Sequence, residues 1–516
     1  DALISNDGKL KEAGAGEGSE NIAEIYHKIK TKILDQTEEI EAQFPKLTRF
    51  MTGYNLAKVI DQKNKTFNLN YLIAGSEGTL VYVTELTLKL TPLPKHKMLF
   101  AIQYASFDAA LRDGRTLLKF DPAALETIDD NILKLAEHDE IYSKVSHMLK
   151  AKEGAFPEGI NLLEFTAETL QDFDYLKVTD FLQKAEKEHK ILGFYCALKD
   201  KDISALWDLR KKGVGLLGAM KGTRKPIPFM EDTAVPPECL ADYIVELRHL
   251  LDGYGLKYGM FGHVDVGCLH MRPALDINTE KDRQLVVTLT KKVNALVKKY
   301  HGVYWSEHGK GFRSECIVDY FGDQLYQTLR EVKGMFDPHN QLNPGKIVVP
   351  DGSSDSVVKV DGPFKGYQDM QVNPEIRHEY AGAFNCNGNA ACLNYNLDST
   401  MCPSAKVSRD WVHSPKGRSS LLREWLRQLS AEGYDIQNDL KTNWIMGITA
   451  KISQLWKSPE KDFSHEVYQS LAKCLGCKAC ATACPIKVDI PKIKPKFLAH
   501  YHTRYARSLR DYIFAT

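Results

Sequence analysis

Cys474-Leu475-Gly476-Cys477-Lys478-Ala479-Cys480-Ala481-Thr482-Ala483-Cys484-Pro485 is the stretch that decides how the C-terminal part of this chain must be built. Its spacing is Cys-x2-Cys-x2-Cys-x3-Cys-Pro. Three thiolates at that interval fit one tight loop around an iron–sulfur cubane, and the fourth, beside proline, typically reaches a different cluster. A zinc site would use two Cys-x2-Cys pairs set farther apart. Buried free cysteines on a helix are the bland alternative, and four in eleven residues argue against it.

Working outward, a second thiol group lies upstream at Cys386, Cys392 and Cys402-Pro403. If the two arms exchange their proline-flanked members, Cys402 joins Cys474, Cys477 and Cys480 in a four-thiolate site. Cys386, Cys392 and Cys484 are then left as a group of three. That group is open to a three-iron cluster, a four-iron cluster with a foreign ligand, or no cluster. One [4Fe-4S] cluster is the expectation, with a second allowed. Seven of the 11 cysteines follow residue 385, while Cys196, Cys239, Cys268 and Cys316 are isolated. An odd count and clustered thiols point to metal binding rather than an extracellular disulfide framework.

The 516 residues provide for two to four ordinary domains, with 43% apolar and 26% charged residues and a net charge of +1. That balance gives no bulk attraction to nucleic acid. No apolar run reaches the ~18 to 20 residues of a membrane span, and no secretory signal is seen. The expected compartment is therefore cytoplasmic. Between Pro485 and Arg510 seven Lys or Arg face the single acid Asp489. This stretch is either a docking face for an acidic redox partner or for anionic lipid at the inner membrane, or a solvated helix face. The chain opens on Asp1 rather than Met, and a fragment of a longer protein is expected.

The predicted organisation is residues 1–95, 96–350, a polar linker at 351–370 and a helical cysteine-bearing part at 371–516. Asn68 to Leu90 alternates around Val81, Val83 and Leu86 and predicts strands closed by Thr91-Pro92-Leu93-Pro94. Residues 96–350 mix both periods, as an α+β domain would. Leu285, Leu289, Val293, Leu296 and Val297 form one helical stripe, with Asn278 or Thr279 available to cap it.

Two segments of that middle part concentrate metal ligands: Phe261-Gly262-His263-Val264-Asp265-Val266-Gly267-Cys268-Leu269-His270 and Trp305-Ser306-Glu307-His308-Gly309-Lys310-Gly311. His263 and His270 are seven apart, so one straight strand would aim them to opposite faces. Gly262 and Gly267 permit a turn that reunites them. Two imidazoles and the Glu307 carboxylate make a three-ligand metal site with a position open for substrate. His308 remains as a base that titrates near neutrality. The alternative is ordinary core or surface histidines in Gly-rich turns.

Several segments resemble one family. Gly75-Ser76-Glu77-Gly78-Thr79-Leu80 with Thr84-Glu85 resembles the flavin-contacting strand pair of FAD-linked oxidases of the vanillyl-alcohol-oxidase type. Phe336-Asp337-Pro338 with Leu342-Asn343-Pro344-Gly345-Lys346 resembles the close of their substrate domain. Cys402-Pro403-Ser404 and His413-Ser414-Pro415-Lys416-Gly417-Arg418 resemble the iron–sulfur extension of some members. The order of motifs matches, and the resemblance covers nearly the whole chain. It runs closest to the large bacterial FAD- and iron–sulfur-dependent D-2-hydroxyglutarate dehydrogenases, with D-lactate dehydrogenases as cousins.

The resemblance implies an α+β class: the C-terminal portion of an FAD-binding domain, a substrate (cap) domain with an antiparallel sheet, and a helical iron–sulfur domain. It implies FAD contacts at Gly75, Ser76, Glu77, Gly78, Thr79 and Asn343. It implies a zinc or similar divalent ion on His263, His270 and Glu307, His308 as catalytic base, and Arg210 gripping a substrate carboxylate. A D-2-hydroxy acid would pass its hydride to FAD, and electrons would leave through the cluster to a redox protein or quinone. A homo-oligomer is left open.

There are departures. Val264-Asp265-Val266-Gly267-Cys268 stands where many relatives have Gly-Asp-Gly-Asn, which bears on the surroundings of the ligands. A substrate-binding lysine of some relatives falls near Met230, with Lys221, Arg224 or Lys225 as replacements. The Gly-rich loop that cradles the FAD pyrophosphate is expected to precede residue 1. The rival enzyme readings are a D-lactate or glycolate dehydrogenase. The rival from another class is a non-catalytic iron–sulfur electron-transfer subunit, against which the four site residues His263, His270, Glu307 and His308 stand.

Overall fold

The computed structural model of the chain describes residues 19–516 apart from 52, 152–153, 219–221, 364–365, 435, 437–461, 506 and 508–516. Lys221, named above as a substrate contact, and Arg510, in the basic stretch, lie outside the described residues. The chain forms two compact units, Asp1–Gly213 with Gly222–Gly362, and Val214–Lys221 with Pro363–Thr516. Among the described residues no helix is long and apolar enough to cross a membrane.

The first unit is organised by a seven-stranded antiparallel sheet. Its strands in chain order are β1 His96–Tyr104, β2 Ala124–Asp129, β3 Gly159–Ala167, β4 Gly193–Ala197, β5 Thr233–Ala234, β6 Met260–His263 and β7 Cys268–Met271. Their order across the sheet is β4-β1-β3-β2-β6-β7-β5. β1 is buried along its length after Lys97, because helices cover both faces. Helix Phe107–Leu117 lies on one face, where Asn161 of β3 donates to the Ala110 carbonyl at 2.8 Å. Helix Asp200–Gly218 lies on the other, where Trp207 Nε1 donates to Glu164 at 2.8 Å.

The expected helix after Thr279 forms as Glu280–Lys299. Thr279 is its cap and accepts from the Asp282 N–H, and Leu289, Val293 and Val297 are buried.

The strands expected over Asn68 to Leu90 are not found. Asn70–Ile73 is a helical turn, and residues 81–94 run without a ladder partner among the described residues. Tyr82, Leu86, Leu88, Leu90 and Leu93 stand 68% to 90% exposed. Alternation marks a segment able to pair, but a strand exists only when a neighbour supplies its hydrogen bonds.

The second unit packs helices Pro415–Ala431, Ser464–Ala472 and Ile490–Arg504 around Trp425. Phe497 meets that indole edge-on at 4.9 Å, and Leu422, Leu426 and Leu471 complete the centre. The cysteines sit on the turns and short helices at the ends of these elements.

Candidate active site and thiol centres

The site grows out of sheet register. β6 and β7 form a hairpin in which Cys268 pairs with His263 and His270 with Phe261. Directly paired residues share a face, and so do residues two apart. The turn at 264–267 thus cancels the odd spacing that would separate the histidines on a straight strand, and their rings meet at 5.4 Å. Gly267 is what the turn needs: its φ is +70°, and a Cβ there would stand 1.8 Å from the Val235 carbonyl oxygen. On the neighbouring strand Glu126 pairs with His263, placing its carboxylate on the same face.

Glu307 closes the group from a loop. Its Oε2 lies 3.0 Å from His263 Nε2 and 3.5 Å from His270 Nε2. One ligand atom from each of His263, His270 and Glu307 falls within 4.8 Å of the others. The loop is held by Asp232, which is fully buried and accepts from the backbone N–H groups of Ser306, Glu307 and His308 at 2.8, 2.8 and 3.0 Å. Arg313 holds it from the other side, donating to the carbonyls of Glu231 and Gly309 at 2.6 Å each. Asp232 also neighbours other ligand-type groups, but its oxygens are occupied by these amides. The set His263, His270 and Glu307 includes no oxygen that accepts from a backbone amide of the loop.

His263, Glu307 and His308 each have a partner that tunes them. Glu126 bonds His263 Nδ1 and leaves Nε2 facing Glu307, the orientation expected behind a metal-bound histidine. Burial opposes charge on His263, but Glu126 and Glu307 outweigh it and push it up to about 9. His263 first, then His270 and Arg49, hold Glu307 far below the usual carboxylate range despite its burial. Arg49 Nη1 donates to Glu307 Oε1 at 2.7 Å. His308 stacks on His270 at 5.0 Å with the rings 5° from parallel. Its Nδ1 is 3.4 Å from Glu231, whose carboxylate raises the imidazole above its ordinary value.

Arg210 is not a surface arginine. Its side chain is 12% exposed, its Nε donates to Glu126 at 2.7 Å, and its guanidinium lies over Phe261 at 4.4 Å. Arg224 is paired with Asp282 at 3.0 Å, and Met230 is fully buried.

The expected flavin contacts also come together. Gly75 packs so closely that a Cβ would stand 2.2 Å from the Gly53 carbonyl oxygen. Glu77 accepts from the N–H groups of Lys310 and Gly311 at 2.5 and 3.2 Å, and Asn343 Nδ2 donates to the Glu77 carbonyl at 2.7 Å. Ser76 and Thr79 are buried. Beside them Lys310 Nζ is buried with no hydrogen-bond partner among the described residues, over the Trp305 ring at 4.6 Å. Burial pushes its pKa well down, and an unpartnered buried amine beside a Gly-rich turn fits a hydrogen-bonding group that the protein atoms do not supply.

In the second unit Cys402, Cys474, Cys477 and Cys480 line one cavity, with Ser404 and Arg418 among its walls. This is the four-thiolate set that exchange of the proline-flanked cysteines gives, and four soft donors around one cavity fit a cubane. Burial, then Cys474, Asp489 and Cys402, pushes the Cys480 thiol up to about 11 against one opposing hydrogen bond. Cys386 and Cys484 are neighbours of Cys392, whose thiol is raised by burial first and then by them.

Residues 93–347 match the family described as FAD linked oxidases, C-terminal domain. That stretch of the chain is similar to an FAD linked oxidase C-terminal domain. It contains the sheet and every histidine and carboxylate of the site above. Residues 382–488 match the 4Fe-4S dicluster domain, which takes in all seven late cysteines. A D-2-hydroxyglutarate dehydrogenase of Pseudomonas putida is 44% identical over 522 residues, 100% of this chain and 51% of that protein. The Escherichia coli enzyme of the same name is 42% identical over 97% of this chain and 50% of its own length. A D-lactate dehydrogenase of Archaeoglobus fulgidus is 27% identical over 55% of this chain and 58% of its own length. The chain thus spans about half the length of these two D-2-hydroxyglutarate dehydrogenases.

Glu126, Glu231, Asp232, Arg49 and Arg313 carry no ligand-like spacing and were not singled out by the sequence. Asp232 alone left a signal, as the acid opening Asp232-Thr233-Ala234-Val235-Pro236.

Proposed function

We propose that this chain is part of an FAD-dependent dehydrogenase that oxidises a D-2-hydroxy acid, D-2-hydroxyglutarate first among candidates. The relatives of that name, matched over essentially the whole chain, support the substrate class. The observation that carries the chemistry is the convergence of His263, His270 and Glu307 with His308 stacked against them.

In this reading His263, His270 and Glu307 hold zinc or a similar divalent ion, with two imidazoles and a carboxylate as its ligands. Bound there, the ion would supply Lewis acidity toward the substrate hydroxyl, and FAD would supply the hydride acceptor. The chain supplies position and a proton acceptor. Glu231 at Nδ1 keeps the His308 proton on that nitrogen, so Nε2 is left to take the hydroxyl proton. Arg210, fixed by Glu126 and Phe261, offers its remaining guanidinium nitrogens to the substrate carboxylate. Gly75 to Thr79 and Asn343 would hold the flavin. Cys402, Cys474, Cys477 and Cys480 would hold a [4Fe-4S] cluster, which would supply a one-electron path toward a redox protein or quinone, in the cytoplasm. Cys386, Cys392 and Cys484 offer a second site, which the dicluster family favours.

The test is turnover of D-2-hydroxyglutarate, D-lactate and glycolate by the full-length protein, with iron, sulfide, zinc and FAD quantified anaerobically. His308→Ala is expected to lower kcat at least 100-fold, within the range for loss of a general base, with metal content unchanged. Turnover near the wild-type rate would remove His308 from the reaction. Clusters without bound FAD, and no oxidation of any of the three acids, would favour the electron-transfer subunit.

A further inference from the structure

Arg418 is the residue of the thiol-bearing unit whose charge is least explained by the protein alone. It sits in the first turn of helix Pro415–Ala431 and is 2% exposed. Its Nε donates to the Ser470 carbonyl at 3.1 Å and its Nη2 to Ser404 Oγ at 3.3 Å. These two bonds fix the plane of the guanidinium. The remaining nitrogen, Nη1, donates to Cys402 Sγ at 3.7 Å. Among the described residues no carboxylate forms an ion pair with Arg418. A buried cation with no counter-charge costs several kcal/mol, so the arrangement makes physical sense only if negative charge comes to the cavity.

The four cysteines of that cavity, as thiolates around iron, bring such charge. A cluster with four thiolates is anionic, and reduction adds one more electron. A fixed positive charge and an N–H···S bond both favour the more negative state, and hydrogen bonds to sulfur are among the features that set cluster potentials. The other thiol group is treated differently by the same turn of helix. Cys392 Sγ accepts the backbone N–H of Lys416 at 3.4 Å and is hydrogen-bonded by the Ser414 side chain, and among the described residues it receives no side-chain cation from that turn.

We infer that Arg418 raises the reduction potential of the cluster on Cys402, Cys474, Cys477 and Cys480, making that cluster the better electron acceptor. The inference rests on the cluster reading proposed above, and deepens it by naming the residue that tunes the centre.

The experiment is an EPR-monitored redox titration of the full-length, cluster-loaded protein, beside Arg418→Gln and Arg418→Lys, with iron and sulfide measured in each. Arg418→Gln is expected to lower the reduced-to-oxidised ratio at the wild-type midpoint at least tenfold, which is 59 mV for one electron. Arg418→Lys, which keeps the charge and loses the fork, is expected to move it in the same direction by less. A fully loaded Arg418→Gln with the wild-type midpoint overturns the inference. If that variant loads no iron, wild-type protein labelled with 15N-arginine decides. A 15N coupling to the reduced cluster by ENDOR supports the contact, and its absence overturns it. A wild-type protein without iron or sulfide would sink the cluster reading itself, and is told apart by the same analysis.

Discussion

The histidine–carboxylate site and the thiol cavity hold their donors in opposite ways. In the first, each donor is matched by a charge of the protein's own: Glu126 and Glu307 on His263, Arg49 on Glu307, Glu231 on His308. Glu307 is ionised far below the usual range for that reason. In the second, burial dominates and pushes Cys480 up to about 11, so at neutral pH that thiol keeps its proton until a metal displaces it. One framework can stand by itself. The other relies on what it binds to bring its sulfurs to a common charge state.

The comparison is broken most directly by Cys480→Ser. Serine offers a hard oxygen where a soft sulfur is needed, so the cluster absorbance is expected to vanish and far-UV CD to lose the signal of the surrounding helices. Substrate-driven bleaching of the flavin, followed by stopped flow in the full-length protein, is expected to persist at the wild-type rate while reduction of an external acceptor stops. Equal loss of both would mean that the two regions are not independent supports.

Asp232→Ala attacks the self-supporting site at its hidden centre. Three backbone N–H groups lose their charged acceptor at once in a fully buried place. Removing one partner from such a network costs about 3 to 5 kcal/mol. Denaturant unfolding should record that loss, and zinc content should fall because Glu307 is released. Asp232→Asn keeps one acceptor oxygen and is expected to cost less. If Asp232→Ala retained both stability and zinc, the loop would be held by Arg313 alone.

The same contrast explains what could be read in advance. The thiol cavity is written largely in one eleven-residue run, because a cubane is small and its ligands must be close in sequence to share a loop. Even the contribution of Cys402 follows from proline-flanked spacing. The helix from Glu280 was legible from its period and from Thr279. The histidine site is spread over segments near residues 126, 232, 263 and 307, joined by sheet register. Glu126 and Asp232 act through position, and a lone acid at the end of a strand has no period or spacing to betray it. Residues 81–94 failed in the other sense: their alternation is real, yet no neighbour among the described residues completes a ladder.

The finest test concerns one proton. In the proposed mechanism His308 works as a base only when Nε2 is free, so turnover is expected to fall as pH drops through its pKa. Glu231 raises that pKa by favouring the imidazolium. Glu231→Gln removes the charge and keeps the shape, so the imidazole should return toward its ordinary value. The acid limb of the kcat/KM profile is therefore expected to move to lower pH. At a pH below the wild-type pKa the variant would then hold more of its base in the working form, a gain set against the looser grip on the Nδ1 proton. A limb that stays in place would assign the titration to another group. The stacked pair of His270 and His308 would then be structural, and the self-charged site would lose its base.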